Sequence, residues 1–369
     1  MTMRDGTPSL HVLLAGGGTG GHVFPALAVA EELAARGWRV SFIGSETGLE
    51  ARLVSERGIP FYPLPARPLV GRGLVDKARS LMTVTRSAAA ASGLIRRLGA
   101  NVVLGTGGYV SAPAVLGARL ARRPILLLEP NAHAGVANRW LSGWASGAAV
   151  GYRKTVQELK CPCWVTGIPV RAAFFQVPAD LPPASDLRLL VLGGSQGAQQ
   201  VNQALPAAAA RLLQSLPALR ILHQAGAKNL DATRQAYTAA GIAERVDVVP
   251  FLNDVAGAMA ASHLLVSRAG AITLAEICAA GRASLLLPLA IAQGHQMGNA
   301  ELLAEAGAAE VIPSSELTPE RLGDRLAALL GDVAALDRMG RAARGLAKPR
   351  AVADIADRLE ILSERGRVR

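Results

Sequence analysis

The sequence predicts a two-domain α/β protein, each domain a doubly wound parallel sheet, and three observations carry that reading. Short β-like runs alternate with helical stretches from Leu10 to about Gly167, the pattern of a parallel sheet covered on both faces. A proline-rich stretch follows, and then the pattern restarts. Each half opens with the same unit: an apolar run, a glycine-rich turn and a helix. A length of 369 residues suits two domains with a core each.

The first unit is Val12-Leu13-Leu14, the turn Ala15-Gly16-Gly17-Gly18-Thr19-Gly20-Gly21-His22, and a helix over Val23 to Arg36 with apolar residues at helical spacing. Glycine lets backbone approach a polar ligand closely and take positive φ. The helix that follows offers free N–H groups and a positive dipole end to an anion. His22 at the helix entrance adds a titratable group, so chemistry as well as binding is expected there.

Further strands are expected at Val40–Ile43, Val102–Leu104, Ile125–Leu128 and Ala148–Val150. Between the first two of these, Leu69 to Leu98 reads as a long helix after a basic, glycine-containing start. Leu74, Val75, Leu81 and Met82 are interleaved with Arg72, Lys77, Arg79 and Arg86. An ordinary amphipathic helix fits. So does an interfacial helix on anionic lipid, which the excess positive charge favours. A second glycine turn, Gly105-Thr106-Gly107-Gly108-Tyr109-Val110-Ser111, lies at the carboxyl end of a strand, where open α/β sheets bind ligands. Ser111 is expected to cap the next helix. Glu129 ends another strand at the same edge. A carboxylate there can orient an imidazole, take a proton, bond sugar hydroxyls or simply form a salt bridge.

Thr166 to Leu187, with four prolines and little periodicity, reads as a hinge. The second half opens with Leu189–Leu192, the turn Gly193-Gly194-Ser195-Gln196-Gly197-Ala198 and a helix to Leu213. Strands follow at Arg220–His223, Val246–Val249, Leu264–Val266 and Ser284–Leu287. Small residues after the third of these put a helix N-terminus where a diphosphate can approach. Glu276, one turn into that helix, is placed to accept hydrogen bonds from a ribose diol or merely to complement the dipole. Gln293 to Asn299 offers amide and imidazole groups to a neutral sugar. Ala351 to Arg365 is a helix expected to pack back on the first domain. The expected divisions are residues 1–167, 168–345 and 346–369.

The formal net charge is +11, which favours an anionic partner. Aromatic residues are only 4% and no recognition motif for DNA or RNA is present, so a nucleic-acid partner is not expected. Cys161, Cys163 and Cys278 make neither a disulfide framework nor a zinc spacing, and free thiols in a reducing compartment are expected. Met1 to Ser9 lacks the apolar core of a signal peptide, and no apolar run reaches the roughly 18 residues of a membrane span. The protein is expected to be cytoplasmic, with peripheral membrane contact.

Gly17–His22, Gly105–Tyr109, Glu129 with Asn131, Pro169-Val170-Arg171, Gly193–Ala198, Phe251-Leu252, Ser267–Glu276 and His295-Gln296 with Asn299-Ala300 stand in the order and spacing of one family. From Leu10 to Met339 the chain resembles the MurG family. Its members transfer N-acetylglucosamine from UDP-N-acetylglucosamine to the C4 hydroxyl of N-acetylmuramic acid on undecaprenyl-pyrophosphoryl pentapeptide.

The resemblance implies a GT-B fold, two Rossmann-like domains facing across a cleft, and an inverting reaction without metal or other cofactor. It implies a catalytic base in His22, with Glu129 as runner-up or as orienting partner. The donor would meet Thr19, Gly20, Gly21, Asn131, Arg171, Ser195, Leu252, Ala271, Ile272, Thr273, Leu274, Ala275, Glu276, His295 and Gln296. The acceptor pyrophosphate would meet Gly17, Gly18, Gly105, Gly107, Gly108 and Tyr109, and membrane would meet Leu74, Val75, Arg79, Leu81 and Met82. A place on the cytoplasmic face of the inner membrane, beside other proteins of cell-wall synthesis, is implied too. Two departures stand out: Leu128-Glu129-Pro130-Asn131 where the family often has His-Glu-Gln-Asn, and Gly167-Ile168-Pro169 where it usually has Gly-Asn-Pro. The rivals are a UDP-sugar transferase with another lipid acceptor and a UDP-N-acetylglucosamine epimerase. A dinucleotide oxidoreductase is disfavoured, because Ile43-Gly44-Ser45 ends the second strand without an acidic residue.

Overall fold

The computed structural model describes residues 9–46, 48–65, 74–108, 110–194, 197–289 and 295–367, with backbone alone for 74–81 and 366–367. Tyr109, Ser195 and the basic segment before residue 74 lie outside the described residues, as do the side chains of Leu74, Val75, Arg79 and Leu81. The chain divides into one unit of Met1–Val170 with Arg350–Arg369 and a second of Arg171–Pro349.

In the first unit β1 (His11–Ala15), α1 (Gly20–Ala35), β2 (Arg39–Gly44), α2 (Leu49–Ser55) and β3 (Phe61–Pro63) come first. Next are α3 (Leu74–Leu98), β4 (Val102–Gly105), α4 (Ser111–Leu120) and β5 (Ile125–Glu129). Then α5 (Val136–Leu141), β6 (Gly147–Val150) and β7 (Cys163–Val165) complete it. The strands make one sheet in the order β3-β2-β1-β4-β5-β6-β7, with every pairing parallel. Side chains alternate between faces. Val12 and Leu14 pack with α1 on one face, while Leu13 and Ala15 pack with α3 and α4 on the other. Both faces are covered, so β1, β4 and β5 read as unbroken apolar runs.

The second unit runs α6 (Ala172–Phe175), β8 (Arg188–Leu192), α7 (Gln199–Ser215), β9 (Arg220–Gln224), α8 (Leu230–Ala239) and β10 (Val246–Val249). It continues with α9 (Val255–Ala260), β11 (Leu264–Ser267), α10 (Ala271–Ala280) and β12 (Ala283–Leu286). It ends with α11 (His295–Glu305), β13 (Ala309–Val311), α12 (Pro319–Leu330) and α13 (Val333–Leu346). Its sheet has the order β10-β9-β8-β11-β12-β13, again all parallel. The chain then returns to the first unit as α14 (Ala351–Arg367). There Ile355, Ala356, Leu359 and Leu362 join the core beneath α1, and Arg36 pairs with Asp357 at 2.7 Å.

The division between the units, after Val170, falls inside the stretch expected as a hinge, and the rest of that stretch belongs to the second unit. Residues 177–182 are held within the second unit by side chains that bond their backbone carbonyls. The buried Arg282 donates to the carbonyls of Pro178 and Met259, each at 3.0 Å, and Arg344 donates to that of Val177 at 2.8 Å. His263 Nε2 holds the Pro182 carbonyl at 3.0 Å. Ser111 is also not the cap expected: it is the first residue of α4, and its hydroxyl donates to the Gly108 carbonyl at 2.9 Å. The three cysteines are free thiols.

Candidate functional site

In each sheet the strand order reverses direction at one place, between β1 and β4 in the first unit and between β8 and β11 in the second. Ligands of open α/β sheets bind beyond the carboxyl ends of the strands at such a switch point. Register brings both turns of the first unit there, because Ala15 at the end of β1 pairs with Gly105 at the end of β4. In the second unit Ser267 at the end of β11 pairs with Leu192 at the end of β8.

At the first switch point the two glycine turns meet around one imidazole. His22 is half-buried, and its Nδ1 lies 2.8 Å from the backbone carbonyl of Thr106. A carbonyl only accepts, so Nδ1 carries the hydrogen and Nε2 is left as the ring's acceptor. Gly107 and Gly108 have φ of +94° and +78°. A Cβ on Gly107 would lie 3.0 Å from the ring and one on Gly108 would lie 3.1 Å from it. These two glycines therefore follow from the close approach of the second turn to His22. Burial pulls the His22 pKa below its ordinary 6.5, against the Thr106 carbonyl and the charges of Glu129 and Glu50.

Glu129 has a different setting from the orienting role expected of it. Oε1 accepts from the backbone N–H of Asn131 at 3.0 Å and from its side-chain amide at 2.9 Å. Oε2 accepts from the Gly135 N–H and from Asn138 Nδ2, each at 2.9 Å. The buried carboxylate thus ties down the loop after β5, and the bond that orients His22 comes from Thr106. The sequence reading missed Glu50. Its buried carboxylate lies beneath the first turn, accepting from the N–H groups of Gly18 at 3.1 Å and Ser45 at 3.0 Å. A Cβ on Gly17 would lie 2.2 Å from that carboxylate. One N–H expected for the acceptor pyrophosphate is therefore already occupied at Gly18.

At the second switch point α10 begins with Gly270 as its cap, and no side chain closes its first turn. Ala271, Ile272 and Leu274 are buried, whereas Thr273, Ala275 and Glu276 are partly open to solvent. The first three hold the helix, and the Glu276 side chain keeps only 12% of its surface exposed. Glu276 Oε1 lies 3.3 Å from Arg171 Nη2, and that guanidinium stands 4.9 Å over the Phe174 ring. Burial lifts the Glu276 carboxyl to about 7, against the pull of Arg171. Gln296, in the first turn of α11, accepts from the Leu289 N–H at 2.9 Å, and His295 opens that helix. Leu252 is partly exposed after β10.

Comparison with known proteins agrees with this construction. Residues 12–150 match the glycosyltransferase family 28 N-terminal domain and residues 188–359 its C-terminal domain. A relative in Methylibium petroleiphilum is 40% identical over 95% of this chain and 97% of its own. One in Alkalilimnicola ehrlichii is 43% identical over 94% and 98%. Both are named UDP-N-acetylglucosamine--N-acetylmuramyl-(pentapeptide) pyrophosphoryl-undecaprenol N-acetylglucosamine transferase. The crystal structure of Acinetobacter baumannii MurG is similar with a TM-score of 0.76 at 34% identity, covering 96% of this chain and 99% of that one. A putative UDP-N-acetylglucosamine 2-epimerase from Listeria monocytogenes shares the fold alone, with a TM-score of 0.67 at 16% identity over 95% of each chain. The chain is a glycosyltransferase of the two-domain α/β type called GT-B, and it belongs to the MurG family.

Proposed function

We propose that the protein moves N-acetylglucosamine from UDP-N-acetylglucosamine to the C4 hydroxyl of N-acetylmuramic acid on undecaprenyl-pyrophosphoryl pentapeptide, with inversion at the anomeric carbon. The observation that carries this is likeness over nearly the full chain, at 40% identity or more, to relatives named for that transfer. His22 Nε2 takes the proton of the attacking hydroxyl as the new bond forms and the UDP–sugar bond breaks. The leaving diphosphate gathers at the N-terminus of α10, where backbone N–H groups and the dipole stabilise its charge.

The donor rests on Arg171, Ser195, Leu252, Ala271–Glu276 and His295-Gln296, with Glu276 on the ribose. The acceptor pyrophosphate takes the entrance of α1 and the second glycine turn. Transfer of radiolabel from UDP-N-acetylglucosamine to a lipid-linked muramyl-pentapeptide, run with EDTA, tests the reading. Labelled lipid supports it. Conversion of the nucleotide sugar without lipid product replaces it with the epimerase reading.

Attachment to the cytoplasmic face of the inner membrane is part of the same proposal. Among the described residues no helix is long and apolar enough to cross a membrane, so contact would be at the surface. The layer of α3, α4 and α5 over one face of the first sheet leaves Met82, Leu120, Val136, Trp140 and Trp144 exposed. Trp140 and Trp144 meet edge to face at 4.6 Å beside Arg139. Amphipathic rings with a cationic neighbour suit the headgroup region of anionic lipid.

A further inference from the structure

The second glycine turn does more than approach His22. Its first residue after the strand, Thr106, is buried and grips that histidine at two points. The backbone carbonyl accepts from the imidazole at 2.8 Å. The hydroxyl donates to the backbone carbonyl of His22 at 2.8 Å. Thr106 is itself fixed, because its N–H donates to the Ala15 carbonyl at 2.8 Å. Space for the hydroxyl exists only because residue 16 is glycine: a Cβ there would lie 1.9 Å from Thr106 Oγ1. The same residue thus joins the end of β1, the start of α1 and the turn after β4.

From this geometry we infer that Thr106 is a positioning residue for His22, holding the imidazole in its Nδ1–H tautomer with Nε2 presented to the acceptor hydroxyl. The hydroxyl sets the distance between the two turns, and the carbonyl of the same residue then meets Nδ1. When Nε2 takes a proton, the Thr106 carbonyl stabilises the imidazolium from behind and the ring does not turn. A neutral histidine in water prefers the other tautomer, so holding this one is a measurable property of the site. The inference rests on His22 being the base, but its structural half does not.

The test uses the full-length protein and three variants. Nitrogen chemical shifts of ¹⁵N-histidine-labelled protein, assigned with His22→Gln, report the tautomer. The wild type is expected to show Nδ1–H at His22. Thr106→Val keeps the branched shape and removes the hydroxyl. It should mix the tautomers and lower kcat roughly 10- to 100-fold, the scale known for partners that orient metal-bound imidazoles, with the KM for UDP-N-acetylglucosamine within about twofold. Thr106→Ser restores the hydroxyl and should recover most of kcat. Melting temperatures of both variants separate loss of positioning from loss of fold. A wild type with Nε2–H at His22, or a folded Thr106→Val enzyme with wild-type kcat, overturns the inference. If His22→Gln keeps full turnover while the tautomer is as stated, the base assignment fails and the geometry stands.

Discussion

His22 and Glu276 are both titratable, and burial displaces each in a direction with consequences. In the proposed reaction the neutral His22 ring is the working form, and its pKa lies below the ordinary 6.5. The acid limb of kcat/KM should therefore fall below pH 6.5, and a limb above pH 7 would exclude His22 as the base. His22→Ala should lower kcat about 10²- to 10⁴-fold. For Glu276 burial favours the protonated form, with a folded pKa of about 7 against an ordinary 4.5. Between those values the native state holds a proton that the unfolded chain has released. Raising the pH strips that proton and costs stability. Wild type should lose about 3 kcal/mol relative to Glu276→Gln between pH 4.5 and 8. Urea midpoints at the two ends measure it, and parallel curves would refute it. His22 was legible in the sequence because it stands inside a glycine turn. Glu50 and Thr106 were not, because they act through distant partners: Glu50 on Gly18, and Thr106 on His22.

Secondary elements were legible where apolar runs or helical periodicity were long. The central strands β1, β4, β5, β8 and β11 are buried on both faces, so each announces itself as a continuous apolar run. The strands β3, β7 and β13 have three residues each and lie at or next to sheet edges, where half-exposed residues such as Tyr62 or Glu310 break any pattern. Helix contacts were equally hidden. Gly117 lets α4 approach α3 so closely that a Cβ there would lie 2.6 Å from Ala91 Cβ and 2.8 Å from the Ala88 carbonyl. Gly117→Ala should destabilise the protein by about 1–3 kcal/mol through overpacking, overriding the roughly 1 kcal/mol that alanine adds within a helix. A denaturant midpoint equal to or above wild type would show that the two helices can separate at no cost.

Across the molecule, a net charge of +11 and the exposed Met82, Leu120, Val136, Trp140 and Trp144 of the first unit predict surface binding. Full-length protein should sediment with vesicles containing phosphatidylglycerol and much less with phosphatidylcholine alone. Salt should weaken the effect by screening, and Trp140→Ala should weaken it about tenfold through lost apolar burial. Binding indifferent to lipid charge and to Trp140 would refute that account. That each half is a parallel sheet covered by helices could be read from the sequence, because alternation of strand and helix implies it, whereas the strand order and the switch points came from the structure. The tethering of residues 177–182 could not, since Arg282 and His263 act from far along the chain.

The return of α14 has a consequence for synthesis. The first unit is continuous only to Val170 and lacks Ile355, Leu359 and Leu362 until its last segment arrives. A ribosome adding 5–20 residues per second needs roughly 10–40 s to make the intervening segment. Throughout that interval the nascent first unit shows water the apolar strip along α1 that α14 will cover. A chain stopped at Pro349 should therefore expose that strip, and its first unit should be cleaved by protease more readily than that of the full-length protein.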